Sequence, residues 1–554
     1  MTDKYVVGID FGTLSGRAAV VRVRDGEVLA TADTAYRHGV MDKTLTVGDG
    51  ASLPPEFALQ VPADYIEVFT DAVPAAVSAA GIAVTDVIGV GLDVTSATVV
   101  AALADGTPLC ELPQFVNRPH AYAKLWKHHG AHEQSERMVK VAKERGEPWL
   151  ARYGGIISSE LLVPKALETL ECDPEVYAAA EVYAEALDWL VWRLTGNLVA
   201  AAGAAGYKRL FQDGQNLSHD YLAALNPGFR DFFDSRMPAP VRPLGSSAGG
   251  LTKEAAGWTG LPEGTPVAVG NIDAHVTAPA VQGVLPGQLV AIMGTSTAAV
   301  LSYPELHEVP GMFGVVDGGV VDGQWGYEVG QTAVGDIFAW FAEGFVPAGY
   351  TDEAAQRGLS IHELLTEKAA LLAVGESGLI ALDWLNGNRS VLMDSRLTGM
   401  LLGMTLHTRP EEVYRAFMEA TAFGMRRIVD SFRDAGIDVA EYVAAGGLIR
   451  NPFMMQMYAD VLGMPVSVAA TTLSGALGAG IFGAVAAGAY PDAAAAAAAM
   501  GAKHEAAYTP DAERAAAYDA LYAEYLSLHD YFGRGANEVM YRLRNIAHGA
   551  RLAK

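Results

Sequence analysis

The sequence predicts an α/β protein built from two related domains that face each other across a cleft. Three observations carry this expectation. Residues 6–23, VVGIDFGTLSGRAAVVRV, read as a short apolar strand ending in Asp10, a loop of small residues and a second strand leaving from Arg17. Residues 290–303, VAIMGTSTAAVLSY, repeat the theme around a Gly-Thr-Ser-Thr loop. One such hairpin arises easily, but two at the starts of the two halves imply a duplicated architecture. Between them, helix-length and strand-length apolar segments alternate, as in an open sheet flanked by helices.

Composition agrees. A chain of 554 residues exceeds what one core fills. With 51% hydrophobic and 19% charged residues it has ample material for large cores. The formal net charge of −25 argues against nucleic acid or an anionic membrane as partner, since either asks for a basic face. Cys110 and Cys172 lack metal-motif spacing, and two cysteines in so long a chain suggest a reducing compartment. No leader-like segment precedes the first strand and no apolar run approaches a membrane span, so the cytoplasm is the expected location.

Each element has a local reason. Gly8, Gly12, Thr13, Ser15 and Gly16 strip the first loop of bulk, so its N–H groups can approach a phosphate. Asp10, at the strand end, can face a hard cation such as Mg²⁺; the competing reading is a tight hairpin whose aspartate makes a turn hydrogen bond. Asp25-Gly26 marks the next turn, making the first ~35 residues a three-stranded meander. Residues 64–80 have helical spacing, and 87–94 (VIGVGLDV) form a buried-type strand followed by Thr95 and Ser96. Residues 114–150 read as helix-like. Their His120, His128, His129 and His132 suggest a polar face lining a cleft rather than a metal cluster, because no Cys or H-E-x-x-H accompanies them. Two helices are expected over 160–195 and a surface connection over 238–250. A strand then stops at Asn271 and Asp273 before a helix of small residues. The domain boundary falls at the LPGQ joint, 285–288, giving domains of residues 1–286 and 287–554.

In the second half the Asn386-Gly387 turn, a helix near 411–434, the strand 442–447 and a helix opening at Asn451-Pro452 follow in order. A long helix or helical pair over 510–545 carries a Tyr/Leu stripe that reads as packing, and the seven-alanine run as a plain helix former. Neither G-x-x-x-x-G-K-[ST] nor G-x-G-x-x-G occurs, which leaves a P-loop or Rossmann nucleotide site unsupported.

The order of these motifs resembles the actin/hexokinase/Hsp70-like ATPase architecture, with its ribonuclease H-like domains. Within it, AAGGLIRNPFMMQMYADVLGMPV (444–466) and SGALGAGIFGAVAAG (474–488) resemble the adenosine motif and following helix of the FGGY carbohydrate kinases. DFGTLSGR (10–17), the Trp-Lys-His-His stretch at 126–129, GNIDAH (270–275) and LDWLNGNRSVLMD (382–394) narrow the resemblance to its ketopentose kinases. It implies ATP-dependent phosphorylation of L-ribulose to its 5-phosphate in L-arabinose breakdown, with D-ribulose or xylulose as alternative substrates. A nucleotide-switch protein of the actin or Hsp70 kind is the alternative from another class; the absence of a β-rich client domain after the second half and the polar insertions 110–245 weigh against it. The resemblance further implies Asp273 as catalytic base, oriented by Asn271 and His275, and Asp10 as the Mg²⁺-side carboxylate. Gly12, Thr13, Arg17, Gly294 and Thr295 would meet the phosphates, and Gly446, Gly447 and Asn451 the nucleoside. Ser96 or Ala97, Lys208, Asp273 and Glu328 would hold the sugar. Expected partners are thus ATP, Mg²⁺ and a small ketopentose, with no nucleic acid, no membrane, and a homodimer left open. Closure about 285–288 and Asn386 would keep water from competing with the sugar hydroxyl.

Overall fold

The computed structural model describes residues 3–552. Its first sheet is laid down by β1 (Tyr5–Phe11), β2 (Ser15–Arg22) and β3 (Val28–Ala35), the antiparallel meander the turn signals predict. Helix α1 (Pro62–Ala80) packs an apolar face on this meander and stops at Gly81, whose left-handed φ of 65° suits the residue without a Cβ. It leads to β4 (Val87–Val94), parallel to β1. After a long insertion that includes α2 (Leu162–Cys172) and α3 (Ala202–Arg209), the sheet is completed by β5 (Ser247–Gly250) and β6 (Pro266–Ala268). The short pair Asn271–Ile272 joins the end of β4 just before α4 (Asp273–Ala280).

The second sheet repeats the plan. Strands β7 (Gln288–Met293) and β8 (Thr297–Tyr303) form the second hairpin; β9 (Gly314–Asp317) and β10 (Trp325–Gln331) extend it. Helices α5 (Gly335–Gly344) and α6 (Pro410–Asp434) precede β11 (Glu441–Ala445), which lies parallel to β7. Helix α7 (Pro452–Leu462), β12 (Val466–Ala469), α8 (Ser474–Ala486) and β13 (Lys503–Tyr508) follow. Strand order is β3-β2-β1-β4-β6-β5 in the first sheet and β10-β8-β7-β11-β12-β13 in the second, with β9 beyond β10. In both, three antiparallel strands are followed by two parallel ones and an antiparallel edge. The duplication read from the two hairpins thus extends through six strands of each sheet.

Helices α8 and α4 tie the halves together, α4 reaching from the first half onto β7 and β8. Helix α8 follows β12 of the second sheet but packs on β1 and β4 of the first, beside α4. The sequence explains how it comes so close: a Cβ on Gly8 would stand 1.8 Å from the Ala476 carbonyl oxygen, and one on Gly91 1.9 Å from that of Ala479. Only glycine fits a strand lying against a helix backbone at that distance. Helix α8 therefore crosses the expected division at 286/287.

Local departures also appear. Residues 114–131 are short 3₁₀ turns and a two-residue strand instead of a helix, which begins only at His132 (His132–Arg145). His128 is buried with its Nε2 3.0 Å from Glu168, so the histidines do not share an open helical face. Residues 160–195 hold a strand, Val182–Glu185, between helices. It pairs with Val99–Ala102 in a small antiparallel sheet over a separate core formed by the insertion. Asn386 lines a groove made of second-domain residues such as Ile337, Trp340 and Val413, away from the joint at 285–288.

Candidate active site

Strand register brings the carboxylates together. On β1, Asp10 stands opposite Asp93 of β4, and Asp93 stands opposite Asn271 of the short parallel pair. Asp273 follows two residues later at the start of α4. The loop ends of three adjacent strands therefore deliver three aspartates to one place, the edge at which open α/β sheets take ligands.

A cavity of about 470 Å³ opens at this edge. Asp10, Asp273, Gly294, Thr295, Gly446 and Gly447 line it, joined by Thr471, Thr472, Ser474 and Gly475. Six of the residues singled out from sequence thus share one cleft, contributed by both domains. Gly475 leaves room for the Asp10 carboxylate, since a Cβ there would lie 2.8 Å from it and make that side chain shift. The first turns of α4 and α8 both border the cavity, so free N–H groups and the positive ends of two helix dipoles face it. Each hairpin loop is closed alike: Gly12 N–H donates to the Ser15 carbonyl (3.0 Å) and Gly294 N–H to that of Ser296 (2.9 Å). The start of α5 braces the second loop, with Gly335 N–H on the Gly294 carbonyl.

The electrostatics follow from burial. Burial first, opposed by the adjoining Asp93 carboxyl and the Arg17 charge, raises the Asp10 carboxyl above its ordinary range. Asp93, fully buried beside the charges of Asp10 and Asp273, is held well above the ordinary carboxyl range, burial being the larger cause. Burial pushes Asp273 up to about 7, partly offset by the Ala274 N–H, which donates to its Oδ1 at 2.8 Å. A group ionising near neutrality can accept a proton from a hydroxyl. Among the described residues no three His, Cys, Asp or Glu side chains are arranged to enclose a metal ion. Asp10, a carboxylate that lines the cavity, is an oxygen donor of the kind a hydrated divalent cation takes.

Other expected residues have different surroundings. Asn271 and His275 do not orient Asp273: the Asn271 Oδ1 accepts the Ile272 N–H, and the His275 ring lies between the Gly319 carbonyl and Glu328, each at 3.3 Å. Arg17 sits across from Asp10 but bonds Asp33 through Nε at 2.7 Å. Thr13 Oγ1 receives the Trp126 indole N–H at 3.2 Å. Asn451 caps α7 by accepting the Met454 N–H and also donates to Thr366. Gly12, Thr13, Arg17 and Asn451 therefore border the cleft region without lining the cavity itself.

Lys208 and Glu328, from different domains, meet deep in the protein at 3.1 Å. His275 and Arg389 complete the cluster, Arg389 Nη2 lying 3.0 Å from Glu328 Oε1 with its guanidinium 4.0 Å from the Phe313 ring centre. Against the cost of burial, Lys208, the His275 hydrogen bond and Arg389 hold the Glu328 carboxyl well below its usual range. Ser96 and Ala97 form the turn after β4, Ala97 with a left-handed φ of 55°. Sequence reasoning missed Asp93 as a partner of Asp10, and Arg389. The first was available from the polar end of the buried strand Val87–Val94; the second lies within the 382–394 motif, where nothing local set it apart from its neighbours.

Two domains with a shared sheet plan, a phosphate-sized cleft between two glycine hairpins, and a near-neutral carboxylate at its floor define a phosphotransferase of the duplicated ATPase type. Residues 5–279 match the N-terminal domain, and 289–487 the C-terminal domain, of the FGGY family of carbohydrate kinases; the chain belongs to that family and is a sugar kinase. It is 55% identical over 541 residues to a ribulokinase of Mycolicibacterium smegmatis, covering 98% of this chain and 96% of that one. To a ribulokinase of Geobacillus thermodenitrificans it is 47% identical over 561 residues, covering 100% and 99%. Among solved structures, xylulose kinase from Rhodospirillum rubrum superposes with a TM-score of 0.77 at 24% identity, covering 95% of this chain and 98% of that one, a likeness of fold.

Proposed function

We propose that the protein phosphorylates L-ribulose on its 5-hydroxyl, using ATP with Mg²⁺, in the cytoplasm. The observation that carries the chemistry is Asp273, ionising near 7 on the floor of a cleft that both hairpins border. The near full-length similarity to ribulokinases supports the choice of sugar. Phosphoryl transfer needs alignment and charge neutralisation more than covalent help. Backbone N–H groups of the Gly12 and Gly294 loops and of the α4 and α8 first turns would hold the phosphates, with Gly446, Gly447 and Asn451 on the nucleoside side. A bound Mg²⁺ would supply positive charge to the phosphate oxygens, and Asp10 would hold it through water. Asp273 accepts the proton of the attacking hydroxyl. Ser96 or Ala97, Lys208 and Glu328 would fix the open-chain sugar so that this hydroxyl faces Asp273. Because Lys208 and Glu328 come from different domains, a correctly seated sugar favours the closed arrangement, which excludes water.

The test is an ADP-release assay with L-ribulose, D-ribulose, L-xylulose and D-xylulose and with no sugar. L-ribulose should give the highest kcat/KM, with negligible release in its absence. Release that ignores sugar would overturn the reading in favour of a nucleotide switch, and preference for another ketopentose would replace the substrate.

A further inference from the structure

Beside the Ser96–Ala97 turn lies a carboxyl group with no hydrogen-bond partner. Glu185 ends the strand Val182–Glu185, directly opposite Val99, and the next residue's N–H, that of Ala186, donates to the Thr98 carbonyl at 2.7 Å. Glu185 is 2% exposed and neither of its carboxyl oxygens is bonded; the Ala97 amide is close but outside hydrogen-bonding geometry. Leaving a buried polar group unpaired costs on the order of 1–3 kcal/mol, so the position calls for a partner that arrives with a ligand.

Its surroundings say which ligand. Lys165 of α2, wholly buried, donates through Nζ to the carbonyls of Ala97 (2.6 Å) and Leu125 (2.7 Å), fixing the other side of the same turn. The charges of Lys165 and Lys208 both act on Glu185. Helix α3, which carries Lys208, packs on α2 and on the Asn271–Ile272 pair that leads to Asp273. Glu185 therefore lies beside the 95–98 turn within reach of the Lys165 and Lys208 charges, and none of the three side chains lines the cavity that holds Asp10 and Asp273. Lys208 and Glu328 are as buried as Glu185, at 3% and 5% exposed.

Resting on the reading of this end as the sugar site, we propose that Glu185 is a further sugar-binding residue, its carboxyl hydrogen-bonded to a hydroxyl or the carbonyl of the open-chain ketopentose. Lys165 is the positioning residue that holds the Ala97 turn against the same molecule. Burial pushes the Glu185 carboxyl up to about 8 against the opposing Lys165 charge, so at neutral pH it carries a proton and both donates and accepts. A polyol presents groups of both kinds.

The test compares Glu185→Leu and Glu185→Gln with the parent enzyme. Each is assayed for L-ribulose affinity by calorimetry, for KM of sugar and ATP, and for thermal stability without ligand. Glu185→Leu should weaken L-ribulose binding at least tenfold with KM for ATP unchanged. Its ligand-free melting temperature should be no lower than the parent's, because an unpaired polar group has been removed. Glu185→Gln, which keeps shape and hydrogen bonding, should fall between. Unchanged sugar affinity in both variants, or a loss of stability without loss of affinity, would overturn the proposal and leave Glu185 as packing. A parent enzyme that turns over L-ribulose while both variants match it refutes this inference alone. A parent that neither binds nor phosphorylates L-ribulose refutes the substrate reading and, with it, this one.

Discussion

Replacing Asp273 with asparagine should abolish turnover and at the same time stabilise the ligand-free protein. The carboxyl ionises near 7 in the fold against 3.8 ordinarily, a gap equivalent to about 4 kcal/mol at 1.36 kcal/mol per pH unit. The sign follows from proton counting. Between these two values the native state holds a proton that the unfolded chain has lost, so stability falls as pH rises through the window and the full cost is present above about 7. Asparagine has the same shape and no charge to desolvate. Its advantage over aspartate should therefore grow by about 2–3 kcal/mol between pH 5 and pH 8. Urea unfolding of both proteins at the two pH values, without nucleotide, measures this. Turnover with L-ribulose should drop by roughly 10²–10⁴, the usual worth of a positioned base. Nucleotide binding should persist, since the hairpin loops and the Gly446-Gly447 turn are untouched. A variant that is less stable at pH 8, or that keeps turnover within about fivefold, would refute the assignment of Asp273 as a half-buried base and leave it a helix-terminal residue.

Other outcomes follow from the same geometry. In the parent enzyme, kcat/KM should rise with pH and level off above about 7 as Asp273 loses its proton, a dependence absent from the Asp273→Asn residual rate. Arg389→Met should raise KM for L-ribulose by about tenfold or more through loss of the Glu328 contact, a charge-assisted bond worth ~1.5–3 kcal/mol, while KM for ATP stays put; Arg389→Lys should restore part of it. Gly91→Ala should destabilise the fold by about 3 kcal/mol or more because its methyl group would meet the Ala479 carbonyl, read as a lowered urea midpoint. Asp10→Asn should raise the Mg²⁺ concentration needed for half-maximal turnover with little change in KM for sugar.

Much of this site could be read from residues alone, for a physical reason. The hairpins are local: small residues in the loop and apolar alternation in the strands specify them without reference to the rest of the chain. The same holds for the 442–452 strand-to-helix turn, and these elements carry Asp10, Gly294, Thr295, Gly446 and Gly447 into one cavity. What escaped depends on contacts between distant segments. The Asp10–Asp93 register needs β1 beside β4, and the Arg389–Glu328 contact spans 61 residues. The crossing of α8 had a trace in the sequence: Gly8, Gly89 and Gly91 in buried strands, matched by the glycines of SGALGAGIFG, are the mark of two backbones in contact. Residues 114–131 misled because their helical-looking composition is overridden by tertiary partners, His128 on Glu168 and Lys124 on Glu168 and Thr169. His275 looked like a support for Asp273 by proximity in sequence, but a side chain two residues along a helix start points elsewhere, here towards Glu328.

The most direct test of the central claim is the identity of the phosphorylated product. A ¹H–³¹P correlation spectrum of the reaction of L-ribulose, ATP and Mg²⁺ with the purified protein should show one phosphoester, coupled to the two protons on C5 of the sugar. Inorganic phosphate as the main phosphorus product, or an ester on any other carbon, would contradict it.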